Sequence, residues 1–481
     1  MIEVSLLPGG RLALDGTGAV PAGVRAVGPR ASSDAVVSRT DAGWRAVLPL
    51  RVSRWGGAER ALPSGNYRLE LDLTGSSAPE LAPMRRTLGE DVAVEIRGRE
   101  LIVGPPLSDV DGTAAGQAAL ERAYAEGTGD LENAVFFESF YGRNASCNPR
   151  AIDEEIARVA PTVTRYWSVV DRSVEVPTGG VAVVEGSPEW WRARGAARLL
   201  VVNDWLRRRF VRRPGQHVLQ TWHGTPLKRL ALDRPGFDPR RVLAVLRESR
   251  RWDVLLAQNP YAARILSAAY AFRRRPVWVE GYPRNDVLLT GDRAAIRRGL
   301  GVAEQERVIL YAPTWRDDRD QMVDFLDLQA LARDAEATVL VRGHSRTLLP
   351  GSDASGHRVI DVTGYPDISA LLLAADALIT DYSSVMFDFT ATGKPVYFFV
   401  PDLEHYRGRL RGFYFDLAER APGPVAMTQE DLTAALTDPA VPERFADRYE
   451  SWSARFNARD DGRAAERVVA RLLDQGMIAR D

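Results

Sequence analysis

The chain has 481 residues, 45% hydrophobic and 26% charged, with 40 glycines and 29 prolines, a usage that fits several globular domains and excludes a miniprotein, a collagenous chain or a disordered one. A single cysteine, Cys147, excludes an intrachain disulfide framework and a multi-cysteine metal cluster. The net charge of −1 names no polyanionic partner, but thirteen Lys and Arg between Arg207 and Arg251 face only Asp233, Asp238 and Glu248, so this segment carries +10.

Residues 1 to about 120 alternate apolar and polar positions in short runs, such as Tyr67 to Leu73 and Val92 to Ile96, with turn residues Pro63, Ser64, Gly65 and Asn66 between them. Period two with frequent turns predicts a small antiparallel β domain, and nothing in it suggests catalysis. The start of the chain lacks the basic residues and apolar core of a signal peptide, and no stretch approaches the ~18 apolar residues of a spanning helix. The expectation is a soluble or peripheral protein kept inside the cell.

After a linker around 105–113 and a helix near 114–126, short apolar strands alternate with helices. Strands are expected at 134–137, 198–202, 218–221 and 277–280, and helices near 150–159, 239–251 and 260–272. The pattern restarts after Gly301, with strands at 307–312, 338–342, 357–361, 376–380 and 395–399, and closes on helices near 429–437 and 446–475. Such alternation predicts an α/β fold of two doubly wound, Rossmann-like domains, 128–290 and 300–430, behind a β-rich domain 1–120, with C-terminal helices 431–481 packing back. A ligand cleft then lies at the carboxyl ends of the strands, between the domains.

Three loops at strand ends carry candidate chemistry. In Trp222-His223-Gly224-Thr225-Pro226-Leu227-Lys228, a histidine that could take a proton from a hydroxyl is followed by a glycine that permits close approach and an ammonium that could hold phosphate. Only Lys228 and Lys394 are lysines among 63 basic residues; Lys394 sits in a turn. Arg342-Gly343-His344-Ser345-Arg346 ends another strand and suits an anion. In Thr380-Asp381-Tyr382-Ser383-Ser384, the serines could cap the following helix and its first N–H groups could meet a phosphate. Arg284 with Asp286, and Arg316, lie on two further loops. The run 317–320, Asp-Asp-Arg-Asp, reads as a solvated turn rather than a metal site. No Walker loop and no G-x-G-x-x-G is present, which disfavours P-loop and dinucleotide chemistry. His217, His357 and His405 lack such surroundings.

These motifs, with Tyr141-Gly142, Asn148-Pro149-Arg150-Ala151, Gly281 to Asp286, Ala312 to Arg316, Asp367 to Ser369 and Arg411-Gly412-Phe413-Tyr414-Phe415-Asp416, occur in an order over about 130–420 that resembles the CDP-glycerol glycerophosphotransferases of teichoic acid and capsule synthesis. The resemblance implies a glycosyltransferase-B type fold that moves glycerol phosphate from CDP-glycerol to a lipid-linked acceptor and releases CMP. It implies catalytic roles for His223 and His344. Donor and phosphate contacts would fall to Lys228, Arg316, Arg342, Thr380, Asp381, Ser383 and Ser384, with Gly224, Thr225, Arg284, Asp286, Ser369 and Arg411 as further cleft positions. No tightly bound cofactor and no divalent metal is implied. Ser345 stands where the family usually has proline. The basic 207–251 segment suits the inner face of an anionic membrane or a growing polyphosphate chain. A CDP-ribitol or other polyol donor, a nucleotide-sugar transferase and a catalytically silent polymer-binding module stay open at this point; nucleic acid is disfavoured, and a homo-oligomer is open.

Overall fold

The computed structural model describes residues 1–73, 80–314, 326–343, 358–402 and 412–480. Arg316, the 317–320 run, His344 and Arg411 lie outside the described residues.

The N-terminal region is built from two antiparallel sheets. One orders the strands Glu3–Leu7, Arg11–Gly16, Gly43–Pro49 and Val36–Thr40; the other orders Met84–Leu88, Ala93–Arg97, Glu100–Gly104, Gly65–Asp72, Gly23–Val27 and Ser32–Asp34. Alternate residues of each strand point inward, so Leu12, Leu14, Trp44, Ala46 and Leu48 from the first sheet share one core with Val24, Ala26, Tyr67, Leu69, Val94 and Ile96 from the second.

Two parallel sheets follow. The first orders Val181–Val184, Thr164–Val169, Glu132–Glu138, Ala197–Val202, His217–Gln220, Val254–Ala257 and Val277–Val279, and the second Val359–Asp361, Thr338–Val341, Val308–Tyr311, Ala377–Thr380, Val396–Phe399 and Val425–Ala426. Both faces of each sheet are covered, which is why these strands read as apolar runs rather than alternating ones. In the first sheet Phe136, Leu200, Val218 and Leu255 enter one core, and Val135, Leu199, Val201, Leu219 and Leu256 the opposite one. Many of the helices start on capping side chains: Thr113, Ser187, Asp238, Asn259, Asp327, Asp367 and Thr428 each accept from an N–H of the first turn.

Among the elements that the structure adds to the expected set are the strands Thr164–Val169, Val181–Val184 and Val425–Ala426 and the helices Pro188–Ala196 and Arg293–Gly299. The structure also corrects the long C-terminal helix. The 446–475 segment is two helices, Ala446–Phe456 and Ala464–Asp474, broken where Gly462 takes φ 81°. The break is fastened by the buried Asp460 carboxylate, which accepts from Gln258 Nε2 at 2.7 Å, Asn457 Nδ2 at 2.9 Å and Tyr282 N at 3.2 Å. Each helix then serves a different core: Trp452 and Phe456 join the core beneath the second sheet, while Val468, Val469 and Leu472 pack with Ile152 and Ile156 beneath the first. The halves also share apolar packing, because Leu227, Tyr261 and Ile265 lie in the same cluster as Leu378, Phe387 and Phe398. Among the described residues no helix is long and apolar enough to cross a membrane.

Candidate active site

In both parallel sheets the first strand of the set is central and later strands add to either side. The winding direction reverses between Glu132–Glu138 and Ala197–Val202, and again between Val308–Tyr311 and Ala377–Thr380. Such a reversal opens a crevice at the carboxyl ends of the strands.

At the first crevice the chain leaves its strands in sterically disfavoured conformations: Phe140, Tyr141, Cys147 and Trp222 have φ of 45°, 60°, 66° and 52°. Bulky residues keep such angles only where their surroundings fix them, and the surroundings here are buried amides. Asn203 Oδ1 accepts from Phe140 N at 2.8 Å, Gln220 Oε1 accepts from Trp222 N at 2.8 Å, and Asn148 Nδ2 donates to the carbonyls of Thr221 and Trp222 at 3.3 and 3.1 Å. The turn presents His223, whose Nδ1 lies 2.6 Å from the carbonyl oxygen of Asn203. A carbonyl only accepts, so Nδ1 carries the proton and donates, leaving Nε2 with its lone pair. The imidazole stacks on Trp222, with ring centroids 4.9 Å apart, and tilts against Phe140 at 5.4 Å. Burial holds its pKa below the ordinary imidazole value, against the opposing pull of Asp204 and the hydrogen bond to Asn203.

At the second crevice Asp381 Oδ1 accepts from Thr314 N at 2.8 Å and from Tyr382 N, while Thr380 Oγ1 donates to the Ala312 carbonyl at 2.8 Å. The serines do not cap as expected. Ser384 precedes a helix of five residues, Val385–Phe389, without a side-chain hydrogen bond to it, and Ser383 Oγ reaches Val385 N only at 3.5 Å. Arg342, at the end of its strand, donates from a terminal guanidinium nitrogen to the Tyr365 carbonyl at 2.8 Å, and burial draws its pKa down to about 10 against the opposing charge of Asp367.

The two crevices meet. Lys228 Nζ donates to Thr314 Oγ1 at 3.2 Å. Lys228 also bridges Phe413 as an antiparallel pair, flanked by Tyr414 N to Leu227 O at 2.8 Å and Arg229 N to Gly412 O at 3.1 Å. A Cβ on Gly224 would come within 2.5 Å of Ser384 Oγ, so the absence of a side chain lets the His223 loop close on the serine loop. His223, Gly224, Lys228, Asp381 and Ser384 are thus assembled across the two sheets.

Other cleft positions turn out to be framework. The Arg284 guanidinium is buried beneath the site, paired to the carboxylate of Asp388 and donating to Cys147 Sγ at 3.3 Å. Asp286 accepts from Ala464 N and Ala465 N at 2.9 and 2.8 Å and so caps the last helix. Thr225 is buried between Gln258 and Asn259. Ser369 is buried, with its N–H donating to Asp367 and its Oγ without a partner among the described residues. The basic segment also divides. Arg207 and Arg208 pair with Glu185, Arg212 with Asp253 and Arg251 with Glu248, while Arg213 donates to carbonyls of Gly195, Gly127 and Tyr124. Asn148 belongs to a motif quoted for the family resemblance without a role of its own, while Asn203 and Asp204 were not singled out from sequence; an asparagine just past the apolar run 198–202 is the signal that could have found the first.

A transferase-type crevice shared by two parallel sheets is what the fold and this constellation define. The chain belongs to the CDP-glycerol:poly(glycerophosphate) glycerophosphotransferase family, whose model matches residues 130–474. It is 37% identical over 362 residues to a teichoic acid poly(glycerol phosphate) polymerase of Bacillus subtilis, an alignment spanning 70% of this chain and 48% of that protein. To a teichoic acid glycerol-phosphate transferase of Staphylococcus aureus it is 34% identical over 379 residues, or 71% of this chain and 93% of that one. The chain therefore spans about half of the Bacillus polymerase and nearly all of the Staphylococcus transferase. A solved structure of the wall teichoic acid polymerase TagF superposes with a TM-score of 0.69 at 32% identity, covering 75% of this chain and 93% of that one.

Proposed function

We propose that this protein transfers glycerol phosphate from CDP-glycerol to a hydroxyl of a lipid-linked acceptor or growing polymer, releasing CMP. The observation that carries the proposal is the buried His223 imidazole, its Nδ1 2.6 Å from the Asn203 carbonyl oxygen, in a loop that closes on the phosphate-suited motifs of the other sheet. Nε2 takes the proton as the acceptor O–H bond breaks. The freed oxygen bonds to the β-phosphorus, and the bond from that phosphorus to the bridging oxygen breaks, its electron pair leaving on CMP. Charge on the phosphates is balanced by Lys228 and Arg342, with hydroxyls from Ser383 and Ser384 and with Arg316, Arg411 and His344 assigned from sequence. Thr380 and Asp381 shape the loop. No cofactor or metal enters these steps.

On the same reading the two parallel sheets are the Rossmann-like domains of a glycosyltransferase-B arrangement, 128–290 on the acceptor side and 300–430 on the donor side, and the TM-score to TagF supports it. Binding at the inner face of the membrane is assigned to a narrower surface than the whole basic segment. The helix Pro239–Ser249 exposes Arg240, Leu243 and Arg247 along one side, continued by Arg250 and preceded by Phe237, with Phe237 87% and Leu243 69% exposed. Apolar side chains ringed by arginines suit an anionic bilayer, where each basic side chain contributes about 1 kcal/mol. Leu243→Asp should weaken sedimentation with anionic vesicles; equal binding to neutral vesicles would defeat the assignment.

The functional test supplies CDP-glycerol, CDP-ribitol or a nucleotide sugar with a lipid-linked glycerophosphate acceptor and measures nucleotide release and product length. CMP release dependent on CDP-glycerol supports the proposal, and turnover of only another donor refutes it.

A further inference from the structure

The N-terminal β region lies outside the family match at 130–474, yet it touches both halves of the α/β body. Its base rests on the first half. The Asp171 carboxylate accepts from Ser64 N at 2.7 Å and from Arg30 at 3.4 Å, Arg54 donates to the Ser173 carbonyl at 3.3 Å, and Arg60 pairs with Glu175 at 3.4 Å. Burial of Asp171 disfavours its charge, but the hydrogen bonds of Ser173 and Ser64 and the charge of Arg30 outweigh it and hold the carboxyl below its ordinary range. This contact is built rather than incidental.

From that base a two-stranded ribbon, Arg51–Val52 paired with Arg60–Ala61, reaches toward the second half. At its tip Trp55 has φ 56° and Gly56 φ 69°. A tryptophan in the left-handed region is sterically disfavoured, and the tip is locked there by Ser53 Oγ donating to Gly57 O at 2.6 Å and Gly57 N donating to Arg54 O at 3.0 Å. The conformation aims the indole at the turn 362–367. It meets the Tyr365 ring edge to face, with centroids 5.5 Å apart and planes at 63°, and a Cβ on Gly364 would lie 4.0 Å from it. Backbone contact with Gly299 flanks the same tip, at 3.8 Å from the Trp55 oxygen to a Cβ built there.

Tyr365 is the residue whose carbonyl holds Arg342. The turn is also held by Tyr365 N to Val362 O at 3.0 Å, by Thr363 N to Asp361 Oδ1 at 2.8 Å and, from the end of the neighbouring strand, by Gly343 N to Thr363 Oγ1 at 2.8 Å. On its aromatic side Tyr365 is met by Trp55, a residue from the N-terminal β region.

We propose that Trp55 is a positioning residue for donor binding: by packing on Tyr365, the N-terminal β region fixes the carbonyl that orients Arg342 toward the diphosphate of the donor. The proposal rests on the reading of Arg342 as a donor contact given above. Residues that the family match leaves out thereby tune the phosphate grip of the crevice.

The test is steady-state CMP release by the full chain, with CDP-glycerol varied at saturating acceptor and the reverse. Trp55→Ala should raise KM for CDP-glycerol roughly threefold to tenfold, the worth of one edge-to-face pair. KM for the acceptor and kcat should stay within about twofold, and Trp55→Phe should recover most of the loss. In an Arg342→Lys background Trp55→Ala should add little, because the two act through one contact. A brace that only stabilises the fold would lower the melting temperature and the active fraction and leave donor KM unmoved; that result, or full additivity with Arg342→Lys, overturns the proposal. If Trp55→Ala does not fold, Trp55→Leu keeps the apolar bulk and is judged by the same KM. Wild-type protein that releases no CMP from CDP-glycerol refutes the functional reading itself. A donor KM unmoved by Arg342→Lys refutes only the role of Arg342 and the relay from Trp55.

Discussion

The two parallel sheets wind in the same spatial order and reverse at the same step, yet their crevices are made of different materials. The first concentrates backbone strain, with four residues other than glycine, three of them aromatic, in left-handed conformations among buried asparagine and glutamine side chains around one imidazole. The second carries hydroxyls, a carboxylate that organises its own backbone, and arginine and lysine brought to its rim. Strain and buried amides restrict the ways the imidazole can point, which suits the positioning that a proton transfer requires. Distributed charge suits a diphosphate, which presents many oxygens and tolerates small displacements. A proton-taking half and a phosphate-holding half is therefore the division the geometry supports, and variants on each side should fail in different ways.

The largest effect is expected in the first crevice. His223→Ala should lower CMP turnover by ~10²–10⁴-fold, the usual span for a general base, while the melting curve stays that of the parent. Near-normal turnover in the folded variant would remove His223 from the reaction. Between the halves lies a different kind of joint, the Arg284–Asp388 pair, both side chains at most 5% exposed. Asp388→Ala leaves a buried guanidinium without its counter-charge and should cost about 3–5 kcal/mol of stability, read as a shift in the urea midpoint. A change below about 1 kcal/mol would mean that water reaches Arg284 and that the pair does not pin the halves.

In the second crevice the signature should be in binding. Arg342→Ala removes a charged donor, worth about 1.5–3 kcal/mol, and should raise KM for CDP-glycerol roughly tenfold or more with a smaller effect on kcat. If kcat alone fell, Arg342 would belong with the proton-taking side and the division of labour would need redrawing.

What could be read in the sequence divides along physical lines. The runs 199–202, 339–341 and 396–399 announce themselves because both faces of their strands are buried, so no charged residue interrupts them. Thr164–Val169 was missed because it carries Arg165 and Ser168 into the interior. Arg165 is neutralised by Asp153 at 2.7 Å, and Ser168 donates to Glu138 at 2.9 Å, partners that no local window contains. The same holds at the site. His223, Gly224 and Lys228 are conspicuous as a motif, but what orients the imidazole is a main-chain carbonyl, that of Asn203, and a carbonyl has no sequence signature. Arg284 and Asp286 looked like cleft residues because they sit in a strand-end loop. That loop faces inward, and its charges are spent on the Asp388 pair and on the last helix.

The smallest effect tests the electrostatics of the imidazole. Burial is the leading cause that lowers the His223 pKa from its ordinary 6.5, with the charge of Arg284 acting the same way, while Asp204 and the Asn203 hydrogen bond oppose them. A general base works unprotonated, so on the proposed reading a lowered pKa keeps His223 competent as the medium acidifies. The acid limb of kcat/KM should fall below the pH at which a free imidazole titrates, not above it. Asp204→Asn retains an oxygen for Trp205 N and for the Tyr141 hydroxyl, which Asp204 Oδ1 accepts at 2.8 and 2.6 Å, but removes the anion that favours imidazolium. The acid limb should therefore move further toward low pH with the maximal rate little changed. A limb that moves upward, or does not move in a folded variant, would show that the proton-taking crevice owes its tuning to burial and Asn203 alone, and that Asp204 acts only as a tether for Tyr141.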